Sequence, residues 1–364
     1  SFRIRNMLLA LTRTLLICAL ALVSTVFPLS AAEMTSQQAA VVFAGLDAPA
    51  ADGAHKAFQQ RTSQAWANYD RRVGQPLAAW SKREVAYWGR STVFYPFSGP
   101  DFVTVAQLFP GAERYVLVAI QKARQPAQLE GMNAEQRAAF EKKLGAAWEK
   151  FGKLGYFRTL DLNDDQREGA SGVGTTTILM AFAARLGYDV TSVIPLRFNP
   201  DKGEWEAAGS ETKTGSVRLS LVQDGRRVTL DYVSLDLSDS ALKAAEAKMD
   251  WVRRMAAQPV LLKAASHLLQ QPSFTVLRDA LVANAPMVVQ DETGLDYRDL
   301  RKIGPVRLYG KFTQTHRLFT TTAQPELAAA YRADKAAREL PFAFSYLKTA
   351  DARSLQVVRR SPAD

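Results

Sequence analysis

The chain has 364 residues, 47% apolar and 23% charged, with 46 basic residues against 36 acidic ones. Such a composition belongs to a globular protein with a sizeable core and excludes a disordered, fibrous or low-complexity chain. The formal charge of +10 favours anionic partners, but the basic residues are scattered, with nothing tighter than pairs such as Arg71-Arg72 and Arg226-Arg227, so nucleic acid is not an expected partner.

At the start, Arg3, Arg5 and Arg13 precede the apolar run from Leu15 to Ala32, which closes on the small residues Ser30 and Ala32. A basic head, an apolar middle and a small-residue end describe a secretory signal peptide over residues 1–32, with Glu33 as the first mature residue. An uncleaved anchor is the alternative, because a run of this length nearly spans a bilayer. After cleavage no stable membrane span is expected, and the location is periplasmic or secreted. The single cysteine, Cys18, falls inside the run. The mature chain then has no disulfide, no thiolate metal site and no cysteine nucleophile.

Residues 33–90 read as an N-terminal helical segment. Phe58, Ala65, Trp66 and Tyr69, then Leu77, Trp80, Val85 and Trp88, recur at helical spacing, with Ala48 to Gly53 as a linker. Residues 91–350 alternate strands and helices. "STVFYPF" and "ERYVLVAIQ" are strands around a short helix, "PDFVTVAQLF". In "NAEQRAAFEKKLGAAWEKFG", Phe140, Leu144, Trp148 and Phe151 share one face, and Asn133 with Gln136 makes a capping box. "TTILMAFAARLG" is apolar nearly all round and predicts a buried helix. A strand, "DVTSVIPLRF", comes next. Two alternating strands then meet at Asp224-Gly225, a hairpin signal. Three helices are expected up to Asn284, then the strand "PMVVQ", the acidic loop "DETGLDY", the strand "VRLYGKF", a helix over "PELAAAYRADKAARE" and a last strand, "PFAFSYL". Residues 351–364 read as a C-terminal tail. The pattern predicts an α/β fold: a mixed, mainly parallel sheet with helices on both faces and an antiparallel hairpin.

Known chemistries are mostly excluded. Gly169 to Thr176 matches a phosphate-binding loop except at its lysine, where Thr175 stands. Asp161, Asn163 and Asp165 open like a calcium loop, but Gln166 and Gly172 occupy the positions that need glycine and glutamate. Only His55, His267 and His316 are present, with no H-E-x-x-H and no G-x-S-x-G. No cofactor and no metal are expected.

Two strand ends remain. In Tyr95-Pro-Phe-Ser-Gly-Pro-Asp101, Ser98 suits a helix N-cap, Pro100 the first turn and Asp101 the positive end of the helix. Without a second glycine this is no dinucleotide fingerprint. Tyr95, Ser98, Gly99 and Asp101 nevertheless gather where an open α/β sheet binds ligands, and Gln290, Asp291 and Glu292 follow another strand. Brought side by side, Asp101 with Asp291 or Glu292 would form a carboxylate pair able to trade protons or hold a cation.

Those segments carry a resemblance. With Tyr95 to Asp101 (YPFSGPD), Gln290 to Gly294 (QDxTG) and Tyr309 to Phe312 (YGxY with Phe at its last position), the chain resembles an uncharacterised family of exported bacterial proteins. The likeness spans roughly residues 80 to 345 and implies export, without implying an activity. Three readings follow: an exported protein that binds a small molecule or an envelope component; a carboxylate-dependent hydrolase or lyase acting through Asp101 and the Asp291-Glu292 loop; and a nucleotide-fold relative without its cofactor.

Overall fold

Thr35 opens the fold with a capping box. Its Oγ1 accepts from the Gln38 amide at 3.2 Å, and the Gln38 Oε1 accepts from the Thr35 amide at 2.8 Å, which starts helix α1 (Ser36–Phe43). The computed structural model describes residues 34–48, 52–85, 91–155, 173–209, 214–317, 323–336, 338–346, 349 and 352–361. The expected signal peptide lies outside these residues. So do the calcium-loop-like run and the first half of the glycine-rich run.

Helices α2 (Gly53–Tyr69) and α3 (Gln75–Glu84) are joined by a π-helical turn at Asp70–Gly74. Next come β1 (Thr92–Pro96), α4 (Phe102–Leu108), β2 (Arg114–Ala119), α5 (Ala134–Leu154) and α6 (Thr175–Arg185). The antiparallel part is β3 (Asp189–Asn199), β4 (Glu204–Ala207), β5 (Ser216–Gln223) and β6 (Arg226–Ser234). The second half holds α7 (Asp239–Lys243), α8 (Glu246–Ala256), β7 (Val260–Leu262), α9 (Thr275–Asn284), β8 (Met287–Gln290), α10 (Tyr297–Ile303), β9 (Val306–Gly310), α11 (Pro325–Ala333) and β10 (Ser354–Arg359).

These strands form one mixed sheet of ten, ordered β4-β3-β5-β6-β2-β1-β7-β8-β10-β9. The fold is α/β. Its centre, β6-β2-β1-β7-β8, is parallel throughout. The chain winds outward from β1 through β2 to β6, then crosses back to lay β7 on the other side of β1. Strand order therefore reverses between β1 and β7.

Alternation along the strands divides the core into two faces. Phe94, Val116, Val118, Val260, Leu262 and Val288 pack with Trp251, Met255, Leu277 and Leu281 of α8 and α9. On the opposite face Tyr115 meets Phe102 of α4 edge-on at 5.3 Å. Helix α6, buried along nearly its whole length, is covered in turn by α5: Phe182 lies 5.5 Å from Trp148 and 4.8 Å from Phe151.

The hairpin turn expected at Asp224-Gly225 is present, with both residues at positive φ (51° and 75°), as a two-residue turn between twisted strands requires. The capping box at Asn133 and Gln136 starts α5. Other elements differ from expectation, among them β4, which no expected strand covers. Residues 354–359, expected in a tail, form β10 between β8 and β9, with Val357 and Val358 buried. "PFAFSYL" forms no strand over its described residues; Phe342 and Phe344 are buried there in irregular backbone. The stretch expected to hold only three helices before Asn284 also contains β7, three apolar residues that fill the slot between β1 and β8.

Candidate functional site

All five parallel strands deliver their carboxyl ends to one edge, and the crevice where strand order reverses, between β1 and β7, is the usual ligand seat of such sheets. Beyond β1 the chain turns sharply, with Phe97 at φ 58° and Gly99 at φ 53°. Ser98 does not cap α4. Its amide and hydroxyl both donate to the Val118 carbonyl, at 3.0 and 3.4 Å, tying the turn to β2. The cap is Asp101, whose Oδ1 accepts from the Thr104 amide at 3.2 Å and the Thr104 hydroxyl at 2.7 Å. Pro100 therefore lies just outside the helix.

The other oxygen of Asp101 faces β7. Oδ2 accepts from the Tyr95 hydroxyl at 3.0 Å and from the Lys263 ammonium at 2.6 Å. Lys263 also donates to the Thr104 hydroxyl at 2.9 Å and lies 5.6 Å from the centre of the Phe344 ring. Tyr95, Asp101, Thr104 and Lys263 are all buried. Burial, and then the charge and hydrogen bond of Asp101, push the Tyr95 phenol well above its ordinary value, which keeps it a donor.

The second acidic segment reaches the same edge from β8. The Oδ2 of Asp291 accepts from the Ala264 amide at 2.8 Å, and its Oδ1 accepts from the Thr293 amide at 2.9 Å and the Thr293 hydroxyl at 2.5 Å. Ala264 pays for that contact with φ 59° and ψ −89°, a strained conformation for a residue with a Cβ. Gln290 closes the loop: its Oε1 accepts from the Leu295 amide at 2.9 Å and its Nε2 donates to the Leu295 carbonyl at 3.0 Å. Gly294 lies under that amide, and a Cβ there would come within 2.4 Å of the Gln290 Oε1.

Glu292 differs from the rest. Its Oε2 accepts from the Ser354 hydroxyl at 3.1 Å, while the buried Oε1 has no hydrogen-bond partner. Burial, and then the Asp291 charge, push its carboxyl up to about 8, so it is mostly protonated at neutral pH.

The structure thus brings the two acidic segments to one edge, two strands apart, but not into a bare carboxylate pair. Two consecutive residues leaving β7 stand between them, Lys263 on Asp101 and Ala264 on Asp291. Sequence reasoning missed Lys263, because its strand is three residues long and sits among helices. The one available signal was the apolar run Val260 to Leu262 directly after Pro259. His267 lies within electrostatic reach of Asp291; burial lowers its pKa against that charge. Among the described residues no group of three or more His, Cys, Asp or Glu side chains is arranged to hold a metal ion.

Two open cavities occupy the same edge further along, over the ends of β2 and β6. One, of about 680 Å³, is bordered by Ile120, Lys122, Arg124, Gln125, Thr214 and Ser216. The other, of about 580 Å³, shares Lys122, Thr214 and Ser216 and extends to Phe198, Trp205 and the start of α8. Lys122 joins the two lobes, and its stem lies against Gly215, where a Cβ would come within 2.8 Å of the Lys122 Cγ. Ile120, at the mouth, is 66% exposed, unusual for a large apolar side chain here.

No family model, no curated protein and no solved structure matches this chain.

Proposed function

We propose that this chain is an exported binding protein that seats its ligand in the two-lobed groove at the carboxyl ends of β2 and β6. Export rests on the basic, apolar and small-residue order of the first 32 residues. The groove is favoured over the acidic cluster because of what each has left to offer. Both oxygens of Asp101, both of Asp291 and the whole amide of Gln290 are spent on neighbours. The observation that carries the reading is Lys122: it borders both lobes and, among the described residues, makes no hydrogen bond or ion pair. On this reading the acidic cluster is the lock that holds β1, β7 and β8 in register beside the groove.

The test is a thermal-shift and calorimetric screen against acidic and neutral envelope components, with Lys122→Glu and Asp101→Asn as controls. The reading expects a binder whose affinity falls in Lys122→Glu. A binder lost only in Asp101→Asn would move the seat to the crevice between β1 and β7.

One observation supports hydrolase or lyase chemistry instead. Glu292 is a mostly protonated acid whose Oε1 has no hydrogen-bond partner, next to the carboxyl of Asp291, and a carboxyl kept protonated at neutral pH is what general acid catalysis uses. Turnover of an envelope polymer that disappears in Glu292→Gln would establish it. The reversal of strand order beside β1 supports kinship with nucleotide folds. Asp101 stands at the α4 N-terminus where a cofactor phosphate would otherwise rest, which fits a relative without the cofactor.

A further inference from the structure

Pro341 to Tyr346 lie over the crevice between β1 and β7 without regular structure. The chain is fixed just before them. Arg338 is bridged to β9: its carbonyl accepts from the Gly310 amide at 2.7 Å, and its amide donates to the Leu308 carbonyl at 3.2 Å. Leu340 is buried. Beyond it Phe342 packs edge-on against Trp80 at 5.8 Å, and the Phe344 ring centre lies 5.6 Å from the Lys263 ammonium. Tyr346 lies within electrostatic reach of the Tyr95 hydroxyl and 5.4 Å from the His316 ring. Lys263 follows β7 and Tyr95 belongs to β1, so Phe344 and Tyr346 cover the seat where an open α/β sheet takes its ligand.

This cover has few ties. Among the described residues, the backbone groups of Phe342, Ala343, Phe344 and Ser345 make no hydrogen bond, although Phe342, Phe344 and Ser345 are buried, Phe342 completely. The Ser345 hydroxyl is likewise buried without a partner. Buried backbone groups are nearly always paired, and an unmet one costs about as much as burying an apolar side chain gains. Burial of Phe342 and Phe344 is therefore offset by the polar groups buried with them. A segment anchored by two rings, without backbone ties, opens more readily than the sheet beneath it. Lys263 also has a donor in reserve. Of its three N–H groups, Asp101 and Thr104 take two, and among the described residues no oxygen takes the third.

We infer that Pro341 to Tyr346 form a displaceable strap that occupies a second ligand seat, at the β1–β7 crevice, and that local opening of this strap uncovers Lys263 and the Tyr95 hydroxyl while the sheet stays folded. Phe344 is the plug and Phe342 the anchor. This seat is independent of the groove at β2 and β6.

The experiment exposes the whole protein to chymotrypsin and, separately, to acetic anhydride, at several urea concentrations below the unfolding transition. Peptide masses locate the cuts and the acetylated lysines. Opening of the strap alone predicts first cuts after Phe342, Phe344 or Tyr346 and acetylation of Lys263, both at rates that urea leaves unchanged. Phe344→Ala should speed both about tenfold or more, the factor expected from losing one buried aromatic anchor. Phe344→Leu, which keeps an apolar anchor and guards against a folding defect, should speed them much less. Cuts that quicken with urea in step with global unfolding overturn the inference. So does local cutting with Lys263 unreactive until the whole chain unfolds, because the strap would then fray without uncovering the seat.

Discussion

The Lys263 ammonium stands 2.6 Å from the Asp101 Oδ2, and these two residues follow the strands between which the sheet reverses its order. A buried pair recovers its desolvation cost only when its remaining donors and acceptors are met. Thr104 and Tyr95 meet them here.

Removing one partner strands the other. Lys263→Met is expected to cost about 3–5 kcal/mol, because Asp101 keeps a buried charge. Adding Asp101→Asn to Lys263→Met should recover part of that loss, since no bare charge is left. Urea denaturation of the two variants checks both statements. A single-variant loss below about 1 kcal/mol would mean that water reaches the pair.

Glu292 makes stability fall with rising pH. An unfolded glutamate ionises near about pH 4.3, whereas the folded group holds its proton up to about 8. Between those values the folded chain binds the extra proton, so the stabilising contribution is complete below the window and disappears as pH passes the folded value. The slope approaches about 1.4 kcal/mol per pH unit within the window. In Glu292→Gln that slope should vanish and stability above pH 8 should rise; an unchanged slope counts against a neutral Glu292.

His55 acts in the same direction at another place. Its Nε2 lies 2.7 Å from Asp47 and its Nδ1 2.8 Å from Glu141, so both ring nitrogens face carboxylates. Burial lowers its pKa, but the hydrogen bonds and charges of Asp47 and Glu141 outweigh it and the net shift is upward. The clamp it forms between α2, α5 and the segment after α1 is complete below about pH 6.5 and is lost as pH rises through the raised folded value. NMR titration should place His55 above His267 and His316, whose pKa values burial lowers. His55→Gln should remove this part of the pH dependence and leave the part due to Glu292.

Gly310 sits at φ 75°, and a Cβ there would come within 2.2 Å of the Arg353 carbonyl oxygen. The obstacle is backbone, so no side chain can move aside. Gly310→Ala should cost about 3 kcal/mol or more, by adding steric overlap to an unfavourable φ, and should separate β9 from β10. Hydrogen exchange over residues 306–310 and 354–359 reads that separation directly.

Much of the architecture was legible because its signals are local. The alternation around Asp224-Gly225, the capping box at Asn133 and the all-round apolar α6 each specify their structure within a dozen residues. The order Tyr95 to Asp101 likewise announced a strand, a turn and a helix. What the sequence could not decide is settled by pairing between distant residues. Val260 to Leu262 become β7 only because β1 and β8 leave a slot for them, and Ser354 to Arg359 become β10 because β8 and β9 each present an open edge. Ser98 yields the helix cap to Asp101 because the Val118 carbonyl of β2 claims it first. Lys263 finds Asp101 across 162 positions of chain, and Lys122, Trp205 and Lys248 meet around one opening only once β2, β4 and α8 are in place. Periodicity reports which face of an element is apolar; it carries no information about which charged side chains the sheet will set opposite one another.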